Sequence, residues 1–416
     1  MRLRWRSGVV LVCGLLMALP ALAETKGFEP VAATDAYLAS VPAEARAKSD
    51  AYFEGGYWLQ LWSLLYGLAV AWVLLRFGLA TRMRALAQRV AGRGFFGSVL
   101  LGAQYLLAVA VLSFPLTVYE GFFREHQYDL SNQTFGAWFG ELMIGLGLNV
   151  LLLGLAIGAL YAAIRAAPQR WWLWGTGLGV VFLVIALLIG PVFISPLFND
   201  YKPLEPGPVR DQVLSMARAN GVPADDVLMF DASRQSKRIS ANVSGILGTL
   251  RISLNDNLLN RSTPEEIQMV MAHELGHYVL NHIPKMLLTF SLVLLAGFAF
   301  IAWAFPRVLA RWGAGWGVED IRDPAGLPLL MALLSVYFLL ASPVVNNLIR
   351  SQEAEADLFG LNASRQPDGF ATVALKLGEY RKLDPSPLEE FLFFDHPSGR
   401  SRILMAMRWK AEHLDP

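Results

Sequence analysis

The chain has 416 residues, 55% of them hydrophobic and 17% charged, with a mean hydropathy of +0.42 and a net charge of +1. Soluble proteins carry about 25% charged residues, so the composition excludes a disordered or fibrous chain and argues against a wholly soluble one. The charge balance offers no basic excess for nucleic acid, and the single cysteine, Cys13, excludes an internal disulfide.

Arg2, Arg4 and Arg6 precede an apolar run over 9–19, and Ala21-Leu22-Ala23 follows as a small-x-small pattern. That run is too short to cross a bilayer. Residues 1–23 are expected to be a secretory signal peptide or an uncleaved anchor, and 24–57 an extramembrane N-terminal segment. Six apolar stretches follow, at 58–77, 96–116, 142–164, 171–194, 287–305 and 327–349. Each is close to the roughly 20 residues a transmembrane helix needs, and helices satisfy their own backbone groups in lipid. The predicted organisation is four spans in 58–198, a catalytic segment at 199–285, two spans in 286–349 and a C-terminal catalytic segment at 350–416. Helical periodicity at 209–219 and 370–381, with alternation at 247–254, predicts helices and one strand in the polar parts. The fold class is mainly α: a polytopic membrane helix bundle with a small α+β catalytic domain.

Loop charge gives an orientation. Residues 24–57 hold six acids and three bases, whereas the next loop carries Arg82, Arg84, Arg89 and Arg93 and no acid. Arginine-rich loops face the cytoplasm, which puts the catalytic segments outside. Together with the leader this suggests a bacterial inner-membrane protein with a periplasmic catalytic side.

The strongest chemical signal is His273-Glu274-Leu275-Gly276-His277. Histidines four apart share a helical face and can bind one metal ion, while Glu274 can reach a metal-bound water. Thr263-Pro264-Glu265-Glu266 supplies the helix start, with Thr263 as N-cap and Glu266 as N3. A catalytic zinc needs a third protein ligand. His282 reads as a helix-end residue near the membrane surface, and the better candidate is Glu353, with Asp357 on the same face orienting a ligating histidine. Glu355 points away from both. Between His277 and Glu353 the chain crosses the bilayer twice, so the two return to the same side.

The set of His273-Glu-Leu-Gly-His277, Asn281-His282, Glu353-x-x-Ala-Asp357, Ser236-Lys-Arg-Ile-Ser-Ala-Asn242, the segment 251–259, and His396-Pro397 with Arg402 resembles the type I CAAX prenyl endopeptidases. These are integral-membrane zinc metallopeptidases of the gluzincin type, and the resemblance covers most of the chain beyond residue 30. It implies one Zn²⁺ per chain on His273, His277 and Glu353, and Glu274 as general base. It also implies that Asn242 holds the peptide backbone, and that His396 and Arg402 hold the reacting carbonyl or its oxyanion. The bundle would enclose a chamber, with zinc at its membrane-proximal wall. The resemblance implies a cytosolic catalytic side, opposite to the reading from charge.

The expected function is a membrane-embedded zinc metalloendopeptidase. Its partners are the lipid bilayer and a peptide or membrane-protein substrate, with or without a lipid modification. The strand at 247–254 is expected to pair with the substrate backbone. An alternative is a quality-control protease that cuts damaged membrane proteins and has no prenyl substrate. A more remote one is a non-enzymatic scaffold or transporter, disfavoured because the spans carry few charges.

Overall fold

The computed structural model describes residues 28–245 and 250–414; the leader expected at 1–23 lies outside them. Helix α1 (Pro30–Ala39) begins at Glu29, whose carboxylate accepts the N–H groups of Val31 and Ala32. Then come α2 (Ala43–Arg76), α3 (Leu79–Ala91), α4 (Phe95–Val118), the single turn α5 (Arg124–Gln127), α6 (Phe135–Ala166) and α7 (Trp171–Ile189). The polar part that follows holds α8 (Pro208–Ala219), α9 (Asp256–Arg261) and α10 (Pro264–Val279). Helices α11 (His282–Trp312) and α12 (Leu327–Ser364) come next, followed by α13 (Pro367–Leu377), α14 (Pro387–Phe393) and α15 (Gly399–His413).

Among the described residues, six helices are long and apolar enough to cross a membrane: α2, α4, α6, α7, α11 and α12. They coincide with the six apolar stretches and outrun most of them, although α7 stops at Ile189, five residues before the end of its stretch. Helix α2 starts at Ala43 rather than near residue 58, and α12 continues to Ser364 rather than stopping near 349. Hydropathy marks only what lies in lipid, whereas the backbone ladder continues into water wherever side chains allow. The expected boundaries at 58, 286 and 349 therefore fall inside continuous helices.

The two ends of the bundle are distinct. At one end α1 packs on α15. There Tyr37 donates to Asp368 at 2.8 Å, Arg400 meets Asp35 at 2.9 Å, and Lys382 meets Glu54 at 2.6 Å. The segment before the first span thus sits with the polar catalytic parts, as four intervening spans require. At the other end Arg84 pairs with Asp323 and ties α3 to the turn before α12.

A four-stranded sheet lies in the polar part, built from β1 (Tyr201–Pro203), β2 (Val227–Phe230), β3 (Ala241–Ser244) and β4 (Arg251–Asn255), in the order β1-β2-β4-β3. The β2–β4 pair is parallel, with Val227 opposite Ile252, and the outer two pairs are antiparallel. The strand expected at 247–254 corresponds to β4, described from residue 251 onward. It is a central strand with a neighbour on both sides, so it cannot pair with a substrate as expected. The free edge near α10 belongs to β3. Alternating apolar residues show that a strand is half buried, but not which edge is left open.

The apolar core has two parts. One lies among α2, α3, α4, α6, α11 and α12, around Leu74, Tyr161, Ile301 and Phe305. The other joins α8, the sheet, α10, α13 and α15 around Ile252, Leu254, Met271, Leu275 and Ile403. This second core holds the helix bearing His273 and His277 against its supports.

Candidate active site

Helix α10 starts with a full capping box. The Thr263 hydroxyl accepts the Glu266 N–H, the Glu266 carboxylate accepts the Thr263 N–H at 2.8 Å, and Pro264 stands at the first helical position. This fixes the register of His273 and His277 two to three turns on. Their Nε2 atoms lie 3.1 Å apart. Glu353 on α12 brings Oε2 to 3.3 Å from His273 Nε2 and Oε1 to 3.6 Å from His277 Nε2. Ligands about 2.1 Å from a tetrahedral zinc ion lie about 3.4 Å from one another. The three side chains therefore offer a group of donor atoms close enough together to hold a single ion.

Helices α10 and α12 can approach this closely because of Gly360. A Cβ there would lie 2.5 Å from Met269 Cε and 3.1 Å from the His273 backbone nitrogen. Gly276 plays the reciprocal part opposite Phe359.

Asp357 is fully buried. Its Oδ1 lies 2.9 Å from His273 Nδ1, while its Oδ2 accepts from Arg402 Nε at 2.9 Å. Arg402, also buried, extends Nη2 to 3.5 Å from Glu353 Oε2. The guanidinium thus faces two carboxylates beside His273 while also lining the cavity in front of them. His396 sits between Asp395, 2.8 Å from its Nδ1, and Glu353, 3.3 Å from its Nε2. Together with Arg402, Glu274 and His273 it lines a cavity of about 320 Å³.

Electrostatics separate the members of the group. Burial raises the Glu274 carboxyl to about 7, against the opposing charge of His273 and a hydrogen bond from the Val243 backbone of β3. Burial alone would lower His273, but hydrogen bonds to Asp357 and Glu353 outweigh it and raise the group. Burial and the neighbouring His273 lower His277 to about 4. Groups pushed apart in this way mark functional sites.

Asn242 lies elsewhere. On β3 its side chain accepts from Ser244 Oγ at 3.0 Å. It lines a separate cavity with Pro191, Ser195, Tyr201 and Arg251, near the end of the fourth span. Its neighbours Ser240 and Ala241 line the His273 cavity instead. The strand is held in place by Asn255, which donates to the Arg238 carbonyl at 2.7 Å, and by Asn257, which donates to the Ser236 carbonyl at 2.7 Å.

Three groups were not foreseen in these roles. His282 is the first residue of α11, a helix end as expected, but it is buried, 2% exposed, and its Nδ1 lies 2.9 Å from His277 Nδ1. Asn281 makes this possible by adopting a left-handed conformation, with φ of 55°, that turns α11 back under α10. Asp395 supports His396; the Asp-His pair is visible in the sequence once His396 is singled out. Arg238, Tyr380 and Arg381 line both the His273 cavity and a larger one of about 760 Å³. The larger cavity is bordered by Phe53, Tyr57, Leu64, Leu339 and Phe393.

Comparison with known proteins follows the same division. Residues 30–200 match a family model described as CAAX prenyl protease N-terminal, five membrane helices, and residues 203–410 match peptidase family M48. The uncharacterized metalloprotease YhfN of Bacillus subtilis is 31% identical over 74% of this chain and 73% of its own length. CAAX prenyl protease 1 of Saccharomyces cerevisiae is 26% identical over 70% of this chain and 68% of its own length. The crystal structure of S. mikatae Ste24p superposes with a TM-score of 0.71 at 22% identity, covering 91% of this chain and 95% of that one.

Proposed function

Given that the chain belongs to peptidase family M48 and is an integral-membrane metalloprotease similar to CAAX prenyl proteases, we propose that it cleaves peptide bonds with one zinc ion held by His273, His277 and Glu353. The observation that carries this reading is the convergence of three side chains: the two histidine Nε2 atoms lie 3.1 Å apart, and the Glu353 carboxylate brings one oxygen to 3.3 Å from His273 and the other to 3.6 Å from His277, close to the spacing of ligands on one ion. A bound zinc ion supplies a Lewis acid that lowers the pKa of a coordinated water and polarises the scissile carbonyl. Glu274 takes a proton from the attacking water and delivers it to the leaving amine. His396, held at Nδ1 by Asp395, presents Nε2 to the carbonyl oxygen as charge develops there. Asp357 orients His273, and Arg402 fixes Asp357 and Glu353 in turn.

The free edge of β3 lies beside Glu274 and offers backbone groups to an extended peptide, which gives affinity with little side-chain selectivity. Backbone pairing takes the place of the Asn242 side chain in this scheme. The apolar border of the larger cavity suits a membrane-associated substrate, and a lipid chain on it gains about 0.8 kcal/mol for each CH₂ buried.

The test compares membranes carrying the wild-type chain with membranes carrying Glu274→Gln. The variant is expected to keep zinc and to lose hydrolysis by a factor of about 10² to 10⁴, with uncleaved substrate accumulating. Retained turnover removes Glu274 from its role. Accumulated proteins that differ by one C-terminal trim mark a tail-processing enzyme; cuts at many sites in damaged membrane proteins mark quality control.

A further inference from the structure

His277 differs from His273 in how its second ring nitrogen is met. His273 Nδ1 faces the Asp357 carboxylate directly, whereas His277 Nδ1 faces another imidazole, His282 Nδ1, at 2.9 Å. His282 Nε2 lies in turn 3.2 Å from Glu355 Oε2, which also receives Lys285 Nζ at 2.9 Å. Two ring nitrogens this close need one proton between them, and the direction of that hydrogen bond fixes both tautomers.

We propose that His282 and Glu355 form a positioning relay that sets the tautomer and ring plane of His277 for metal binding. This rests on the zinc reading above. His277 turns Nε2 toward His273 and Glu353, so a ligating Nε2 is bare and the proton sits on Nδ1. That N–H donates to His282, whose Nδ1 is bare. The His282 proton therefore sits on Nε2 and is donated to the Glu355 carboxylate, which anchors the chain of bonds. Helix α12 thus supplies three carboxylates at alternate positions. Glu353 faces the ion, Asp357 supports one histidine directly, and Glu355 supports the other through an interposed imidazole. The sequence motif had left Glu355 and His282 without a part.

Partners that orient metal-bound histidines change metal affinity by about 10- to 100-fold. The experiment uses the full chain in detergent and measures zinc affinity by chelator competition, together with the visible absorption of the Co²⁺-substituted protein. His282→Phe keeps the volume and removes the acceptor; it is expected to weaken zinc within that range and shift the Co²⁺ bands. His282→Gln restores an oxygen acceptor and is expected to recover part of the loss. Glu355 is half exposed, so Glu355→Gln leaves the core intact and tests the relay even where a His282 variant fails to fold. It is expected to weaken zinc severalfold in the wild-type background and not at all in His282→Phe. Unchanged zinc affinity in Glu355→Gln, or an equal loss in both backgrounds, overturns the relay. The peptidase reading fails separately, if the wild type binds no zinc or if Glu274→Gln still hydrolyses peptides.

Discussion

The site's chemistry turns on a few charged atoms kept from water. Arg402 has 7% of its side chain exposed and bridges Asp357 and Glu353. Arg402→Ala leaves the fully buried Asp357 without its cation. The expected cost is about 3–5 kcal/mol of stability, read as a fall in melting temperature in detergent, accompanied by weaker zinc binding. A variant that melts like the wild type would show that Asp357 has another counter-charge. At this scale the sequence was informative where spacing alone sets geometry. His273 and His277 four residues apart must share a helical face, and the even number of spans allowed Glu353 to reach them. It was uninformative where a single torsion decides. The left-handed Asn281 buries His282 against His277, and the entry of the chain into β3 leaves Asn242 lining a different cavity from the one that Ser240 and Ala241 line. Neither follows from residue type.

Among the secondary-structure elements, the decisive contact is between α10 and α12. It closes because Gly360 and Gly276 have no side chains, and Gly360→Val is expected to force the helices apart. Overpacking of this kind costs about 1–3 kcal/mol, and about 1.4 kcal/mol is tenfold in an equilibrium constant. Zinc affinity should therefore fall by about tenfold or more while helix content by circular dichroism stays the same. Unaltered affinity would mean that Met269 yields and α12 does not move. The helices themselves were legible, since the six apolar stretches and the Thr263 capping box left little choice. The sheet was less so. The alternation near residue 252 marked a strand, but the order β1-β2-β4-β3 comes from long-range pairing that no local pattern encodes.

Across the whole molecule, four spans separate the N-terminal segment from the catalytic parts, and two more separate α10 from Glu353. The ion pairs of Asp35 and Glu54 with Arg400 and Lys382 place both chain segments at one end. The opposite end carries Arg82, Arg89, Arg93, Arg165, Arg170, Arg307 and Arg311. A positive surface of this kind belongs in the cytoplasm, so we propose that the catalytic end faces the periplasm. A reporter active only outside the cytoplasm, fused after Pro416, is expected to be active. An inactive reporter, with a cytoplasmic reporter active at the same fusion point, would place the catalytic end inside.

Helix α12 runs for 38 residues from Leu327 to Ser364, and α11 begins at His282 after only the two-residue turn Leu280-Asn281 that follows α10. Glu353 and the relay imidazole are therefore rigidly geared to the lipid-embedded shafts beneath them. Hydrophobic mismatch tilts or shifts such shafts, and one residue of axial slip moves a carboxylate by about 1.5 Å. Turnover in vesicles of graded acyl-chain length should accordingly pass through a maximum, with zinc retained throughout. A flat profile would show that tilting is absorbed elsewhere; a peaked one would make bilayer thickness a regulator of proteolysis.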